Sequence, residues 1–143
     1  MRRRWPASLA GVVALGLAAC GTPSADLFVI QRTGTIPGAQ LNLRVTDGGQ
    51  VSCDRGKLRD ISSAQLIEAR AILEGLQGKK DEQGPADRNL RLPPRPGSTL
   101  SYRVRSEDGT VAFSDTSLGQ PQVFYRLAKL TRDLARQVCG RPR

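Results

Sequence analysis

Two short stretches, Asp47-Gly48-Gly49 and Glu107-Asp108-Gly109, constrain this chain more than any other feature. Aspartate and glycine accept the positive φ that a tight reversal needs, so each stretch marks a hairpin. Leu41, Leu43 and Val45 alternate with Asn42, Arg44 and Thr46 before the first turn, and Val51 and Cys53 continue the inward face after it. Leu100, Tyr102 and Val104 alternate with Ser101, Arg103 and Arg105 before the second, and Val111 and Phe113 return. That period of two belongs to half-buried strands. Ahead of both hairpins, Leu27-Phe28-Val29-Ile30-Gln31-Arg32 reads as a strand with two apolar faces, hence central or covered on both sides.

A helical pattern follows each hairpin. Ser62 or Ser63 caps the first helix, with Gln65 in capping-box position after Ser62. Leu66, Ala69, Leu73 and Leu76 share its face, joined by Ile72, and Gly78 supplies a stop. Pro121 opens the second helix. Val123, Leu127, Leu130, Leu134 and Val138 form its seam, with Phe124 beside it, and Gly140 ends it. The prediction is an α+β domain: an antiparallel sheet of about five strands backed by two helices, in the order β-ββα-ββα. Leu41, Arg44 and Val45 recur 59 residues later as Leu100, Arg103 and Val104, each set followed by an Asp-Gly turn, a valine and an aspartate, Asp54 or Asp115. Duplication explains this, and so does separate use of the same turn chemistry. Between the halves, residues 78–98 are polar and contain Pro85, Pro93, Pro94 and Pro96, which predicts a linker without regular structure.

The N-terminus reads differently. Arg2, Arg3 and Arg4 precede an apolar run from Ala7 to Ala19. Its 13 residues fall short of the ~20 that a membrane-spanning helix needs, and it ends in small side chains before Cys20, as an export signal does. Leu17-Ala18-Ala19-Cys20 resembles the bacterial lipobox. That resemblance implies removal of residues 1–19 as a lipoprotein signal peptide and a lipid on the Cys20 thiol. The protein would then sit on the outer face of the cell membrane, with two or three acyl chains as a firm anchor. Residues 20–26 would form a short tether, and 27–140 a single domain.

Export places the remaining cysteines, Cys53 and Cys139, in an oxidising compartment, where an even remainder pairs. Closing a loop of about 86 residues is worth ~4 to 5 kcal/mol in the chain-entropy account. Without Arg2–Arg4 the chain keeps 19 basic against 13 acidic residues, a net charge near +6. Either anionic lipid or an anionic wall polymer attracts it or the arginines only keep a small domain soluble, and an exported location argues against nucleic acid.

Chemistry is harder to find. The chain has no histidine, which removes Ser-His and Cys-His pairs and most catalytic metal sites. No serine stands in a Ser-x-x-Lys frame with Lys57, Lys79, Lys80 or Lys129, and no glycine-rich phosphate loop occurs. The acidic pairs Asp81-Glu82 and Glu107-Asp108 fall in a linker and a turn. We therefore expect no catalytic residues, no metal and no cofactor. Three features offer binding instead. Arg126, Lys129, Arg132 and Arg136 recur at helical spacing, extended by Arg141 and Arg143, and either meet an anionic surface or form a solvated face. Leu92-Pro93-Pro94-Arg95-Pro96-Gly97 is either an extended ligand for a groove or a stiff connector. The Gly34–Gly38 loop presents Ile36 ahead of Pro37.

Together, the lipobox, Arg32–Gly38 as Arg-Thr-Gly-x-Ile-Pro-Gly, the Asp-Gly-Gly hairpin, the Leu-Pro-Pro-x-Pro-Gly stretch and Phe124-Tyr125-Arg126-Leu127 resemble a group of small actinobacterial lipoproteins of unassigned function. That resemblance implies a non-catalytic binding or accessory module at the cell envelope. More distantly, the order strand, hairpin, helix, hairpin, helix is similar to emfourin-like inhibitors of thermolysin-type metalloproteases. The alternative it implies is inhibition of a secreted protease, with no inhibitory residue transferred.

Overall fold

A computed structural model describes residues 24–142. The expected signal peptide 1–19, the expected lipidation site Cys20 and residues 21–23 of the expected tether lie outside the described residues, as does Arg143. The domain is α+β. β1 (Asp26–Gly34) is the hub of a six-stranded sheet, with β2 (Leu41–Thr46), β3 (Gln50–Cys53) and β4 (Leu58–Asp60) on one side and β7 (Leu100–Arg105) and β8 (Thr110–Ser114) on the other. Every neighbouring pair is antiparallel. β1 pairs with the first strand of both hairpins, so Ile30 faces Leu43 on one flank and Val104 on the other.

Helices α1 (Ser63–Gln77) and α2 (Gln122–Gln137) cover one face only. Under them Phe28, Ile30, Leu43, Val45, Val51 and Val104 are buried. The expectation that β1 is central holds, but cover on both faces does not: Val29 is half-buried and Gln31 exposed. The apolar doublet has a local cause. The pairing register shifts between Asp26 and Phe28, so Leu27 and Phe28 are both buried.

The strand count of about five also needs correction. Leu58–Asp60 pairs with β3 as a sixth, edge strand. All three of its residues are exposed, so side-chain burial leaves no mark on its sequence. The capping box forms as expected: Gln65 N–H donates to Ser62 Oγ at 3.2 Å, and Ser62 N–H donates to Gln65 Oε1 at 2.9 Å. In the second half Tyr102, Phe113 and Phe124 stack in succession, with centroids 5.0 and 4.4 Å apart.

Cys53 and Cys139 form a disulfide, with Cα atoms 5.9 Å apart. It ties the chain just beyond α2 to the end of β3. Arg59 of β4 reinforces the tie by donating to the Val138 carbonyl at 2.6 Å, and Arg141 pairs with Asp54.

Residues 78–98 are docked rather than free of structure. β5 (Gly78–Lys79) and β6 (Glu82–Gln83) make a small ribbon. Ala86 is buried, and its N–H donates to the Leu76 carbonyl at 3.0 Å. Arg91 forms a parallel bridge with Ala112, where Leu92 N–H donates to the Ala112 carbonyl and Ala112 N–H to the Leu90 carbonyl. The prolines that follow are tolerated because they lie at an edge that needs no further ladder donor.

Candidate functional site

β1 ends in a loop built by a buried arginine. Arg32 is 1% exposed. Its Nε donates to the Ala39 carbonyl at 2.9 Å and an Nη to the Gly38 carbonyl at 3.0 Å. The guanidinium thus holds the far limb of the 34–38 loop. Burial lowers its pKa, and so do the nearby positive charges of Arg141 and Arg132, while Tyr102 acts in the opposite direction. At the near limb, a Cβ on Gly34 would lie 2.0 Å from the Thr99 carbonyl oxygen, so only glycine admits this approach. Thr35 N–H donates to that same carbonyl at 3.1 Å. Ile36, expected as an exposed contact, is instead half-buried against the core.

Ile36 forms one wall of a groove of about 790 Å³ at this end of the sheet. Tyr102 and Phe113 contribute to its floor, and Tyr125, Ala128, Arg132 and Arg136 of α2 form the opposite side. Tyr125 is 54% exposed there. Asp115 sits at the margin but is fully engaged. Its carboxylate accepts from Ser98 Oγ at 2.8 Å, Thr99 Oγ1 at 2.6 Å, and the N–H groups of Thr99 and Leu100. Burial pushes this carboxyl upward, yet the hydrogen bonds from Thr99, Ser98 and the backbone together hold it below its ordinary value. A carboxylate so occupied is a brace for the β7 start, not a free base.

The structure divides the basic row of α2. At about 100° per residue, Arg126 and Arg132 stand about 120° apart around the axis. Arg126 faces α1 and grips Glu68 through both carboxylate oxygens, at 2.9 and 2.8 Å. Lys129 bonds Asp133 at 2.9 Å. Arg132 and Arg136 are exposed on the groove, and no carboxylate within salt-bridge distance of either is found among the described residues. The groove therefore joins two features that were separate in sequence, the Ile36 loop and the second half of the basic row. It lies at the opposite end of β1 from Asp26, ~27 Å away for eight strand steps. The chain enters the sheet at that other end, where Asp47 N–H donates to the Ala25 carbonyl.

The Leu92–Gly97 stretch is already engaged by its own chain. Ser117 Oγ donates to the Leu92 and Pro93 carbonyls, and Arg95 N–H to Thr116 Oγ1 at 2.9 Å. Among the described residues, no three His, Cys, Asp or Glu converge as metal ligands, and no helix is long and apolar enough to cross a membrane. No protein-family model, no curated protein and no solved structure matches the chain.

Proposed function

We propose that this is an exported lipoprotein, anchored through Cys20, that acts as a non-catalytic binding module and takes an acidic, partly apolar segment of an envelope protein in the groove. The observation that carries the reading is the pairing of Arg132 and Arg136, neither with a carboxylate at salt-bridge distance among the described residues, with the apolar surface of Ile36, Tyr125 and Ala128. Such a surface offers charge for specificity and apolar area for affinity. The position of the groove supports a partner over the protein's own bilayer. The tether reaches the sheet at the Asp26 end, and the groove lies at the far end. The rigid 34–38 loop is the feature that an emfourin-like inhibitor would use, but its one large apolar side chain turns toward the groove.

Two measurements test this. Cys20→Ser is expected to release the protein from the membrane fraction and to remove the mass of the lipid. If the variant stays membrane-bound, the anchor is wrong. For the groove, a photo-crosslinking side chain is placed at Ile36 or, as a control on α1, at Ile67. Position 36 is expected to yield a specific envelope adduct that Arg132→Glu with Arg136→Glu abolishes. Adducts that persist in the double variant would overturn the groove reading.

A further inference from the structure

The sheet face opposite the helices carries no helix, and arginine is the commonest of its exposed residues, with Asp60, held by Gln50, as a carboxylate on the β4 edge. Residues that alternate with the core strands bring Arg44, Arg103 and Arg105 onto it, around Val29 and Gln31. Val29 pairs with Arg44 on one side and Arg105 on the other. The two arginines therefore lie two strand spacings apart, ~9.6 Å, while Arg103 and Arg105 are ~6.7 Å apart along one strand. Arg55 joins at one rim. Among the described residues, the one carboxylate within 4 Å of any of these four guanidinium groups is Asp26, 3.9 Å from Arg44. This charge is independent of the groove, which lies among the helix, the loop and the sheet end.

The face is also channelled. Hollows of about 320, 260 and 310 Å³ follow one another across it, the first two sharing Val29 and the last two sharing Gln31 and Arg103. Both ends have walls. The 54–57 loop folds over the first, where Ser52 Oγ donates to the Gly56 carbonyl at 2.8 Å. Leu92 and Pro94 wall the other, beyond the edge of β8.

We propose that this channel binds a linear, flexible, phosphate-bearing polymer without aromatic bases, the chemistry of an anionic wall polymer. Charge complementarity selects a polyanion. The channel selects a strand over a flat bilayer, which would meet the walls first. Leu58, at the edge, is the only large exposed apolar side chain described on this face, so little can insert into lipid. Nucleic acid is disfavoured because single-strand binders stack bases on aromatic side chains. Among the described residues no exposed aromatic side chain lies on this face: Tyr102 and Phe113 border the third hollow, but each is only 3% exposed and their rings stack in the core.

The test uses the whole exported chain in neutral detergent with fluorescent inorganic polyphosphate as the probe. Changing Arg44, Arg103 and Arg105 together to Gln is expected to weaken binding at least tenfold at low salt. It should also lower the slope of log affinity against log salt by about 2, at ~0.7 per lost contact. The Lys triple variant should keep most of the binding, since the charge is retained. Arg132→Gln with Arg136→Gln, in the groove, should stay within twofold of the parent. Failure of this proposal is thereby separate from failure of the groove reading. Arg103→Gln alone should lose about threefold, which preserves a readout if the triple variant melts early. An unchanged Gln triple variant, a Lys variant as weak as it, or a loss confined to the groove variant would overturn the proposal. So would displacement by oligo(dT) or by dispersed phosphatidylglycerol at equal or lower phosphate concentration than unlabelled polyphosphate.

Discussion

The two hairpin-helix halves flank β1 in the same way but are held by different forces. In each, an aspartate just beyond the second strand closes the hairpin base. Asp54 accepts from Asn42 N–H at 2.9 Å and Asp115 from Leu100 N–H at 3.2 Å. In each, the aspartate's own N–H returns a bond, to the Asn42 or the Leu100 carbonyl. Beyond that the halves part. Asp115 is satisfied by its own half, through Ser98 and Thr99, above the Tyr102–Phe113–Phe124 stack. Asp54 turns to Arg141, beside a disulfide that joins β3 to the end of the chain. The second half is knit locally and apolarly, whereas the first depends on the C-terminus. Similar turns thus lead to similar hairpins without dictating what stabilises them.

Breaking the disulfide should have the largest effect. Cys53→Ser with Cys139→Ser is expected to cost ~4 to 5 kcal/mol, because an 86-residue loop is released in the unfolded chain. In native-state hydrogen exchange, β3 and β4 should lose protection before β7 and β8. Simultaneous loss in both halves would mean that they are not separately supported. Phe124→Ala comes next, at about 4 kcal/mol in denaturant unfolding, since the ring is fully buried at the end of the stack. Its exchange pattern should be the reverse, with β7 and β8 opening first.

The same contrast explains what could be read from the sequence. Both hairpins, β1 at the centre and the α1 cap at Ser62 follow from local periodicity and turn chemistry, and the Cys53–Cys139 disulfide is the pair that remains when Cys20 is set aside. What escaped depends on backbone pairing or on three-dimensional neighbours. Leu58–Asp60 buries no side chain, so no periodicity marks it. Residues 78–98 are held through main-chain groups such as Leu92 N–H, which any sequence supplies. Arg32 at a strand end looks like an ordinary surface charge until Gly38 and Ala39 return to it. Its position between an apolar strand and a glycine-bounded loop was the available signal. The candidate groove is half legible: the sequence marks Ile36 and Arg132 separately, and only the fold brings them together. A row stepped by three drifts around the helix, so Arg126 turns to Glu68 on α1 while Arg132 and Arg136 line the groove.

Smaller perturbations should sharpen the comparison. Asp115→Asn is expected to cost about 1 to 2 kcal/mol, because several donors lose a charged acceptor. Asp54→Asn should cost under about 1, with fewer donors and an exposed partner. Both carboxyls are held below their ordinary values, Asp54 chiefly by the Asn42 N–H. The native state therefore takes up these protons less readily than the unfolded chain. Their contribution is complete above the unfolded-chain value near pH 4 and is lost as pH falls below it through the native values. Unfolding measured between about pH 5 and 2 should show a shallower acid slope for each variant than for the parent. A slope unchanged in Asp115→Asn would remove this carboxylate as the local brace.

The smallest effect belongs to the contact between the halves' helices. Arg126 and Glu68 meet in a two-pronged pair, and the bond from Arg126 lowers the Glu68 pKa. Their side chains are 39% and 38% exposed, so solvent screens the attraction. Glu68→Gln should cost no more than about 0.5 kcal/mol, a melting shift of at most ~2 °C. A double-mutant cycle with Arg126→Gln should return a coupling of the same size, because each substitution removes the charge while leaving the helix intact. A coupling above about 1.5 kcal/mol would contradict the division drawn between the halves. It would mean that this helix contact, rather than the disulfide and the aromatic stack, joins them.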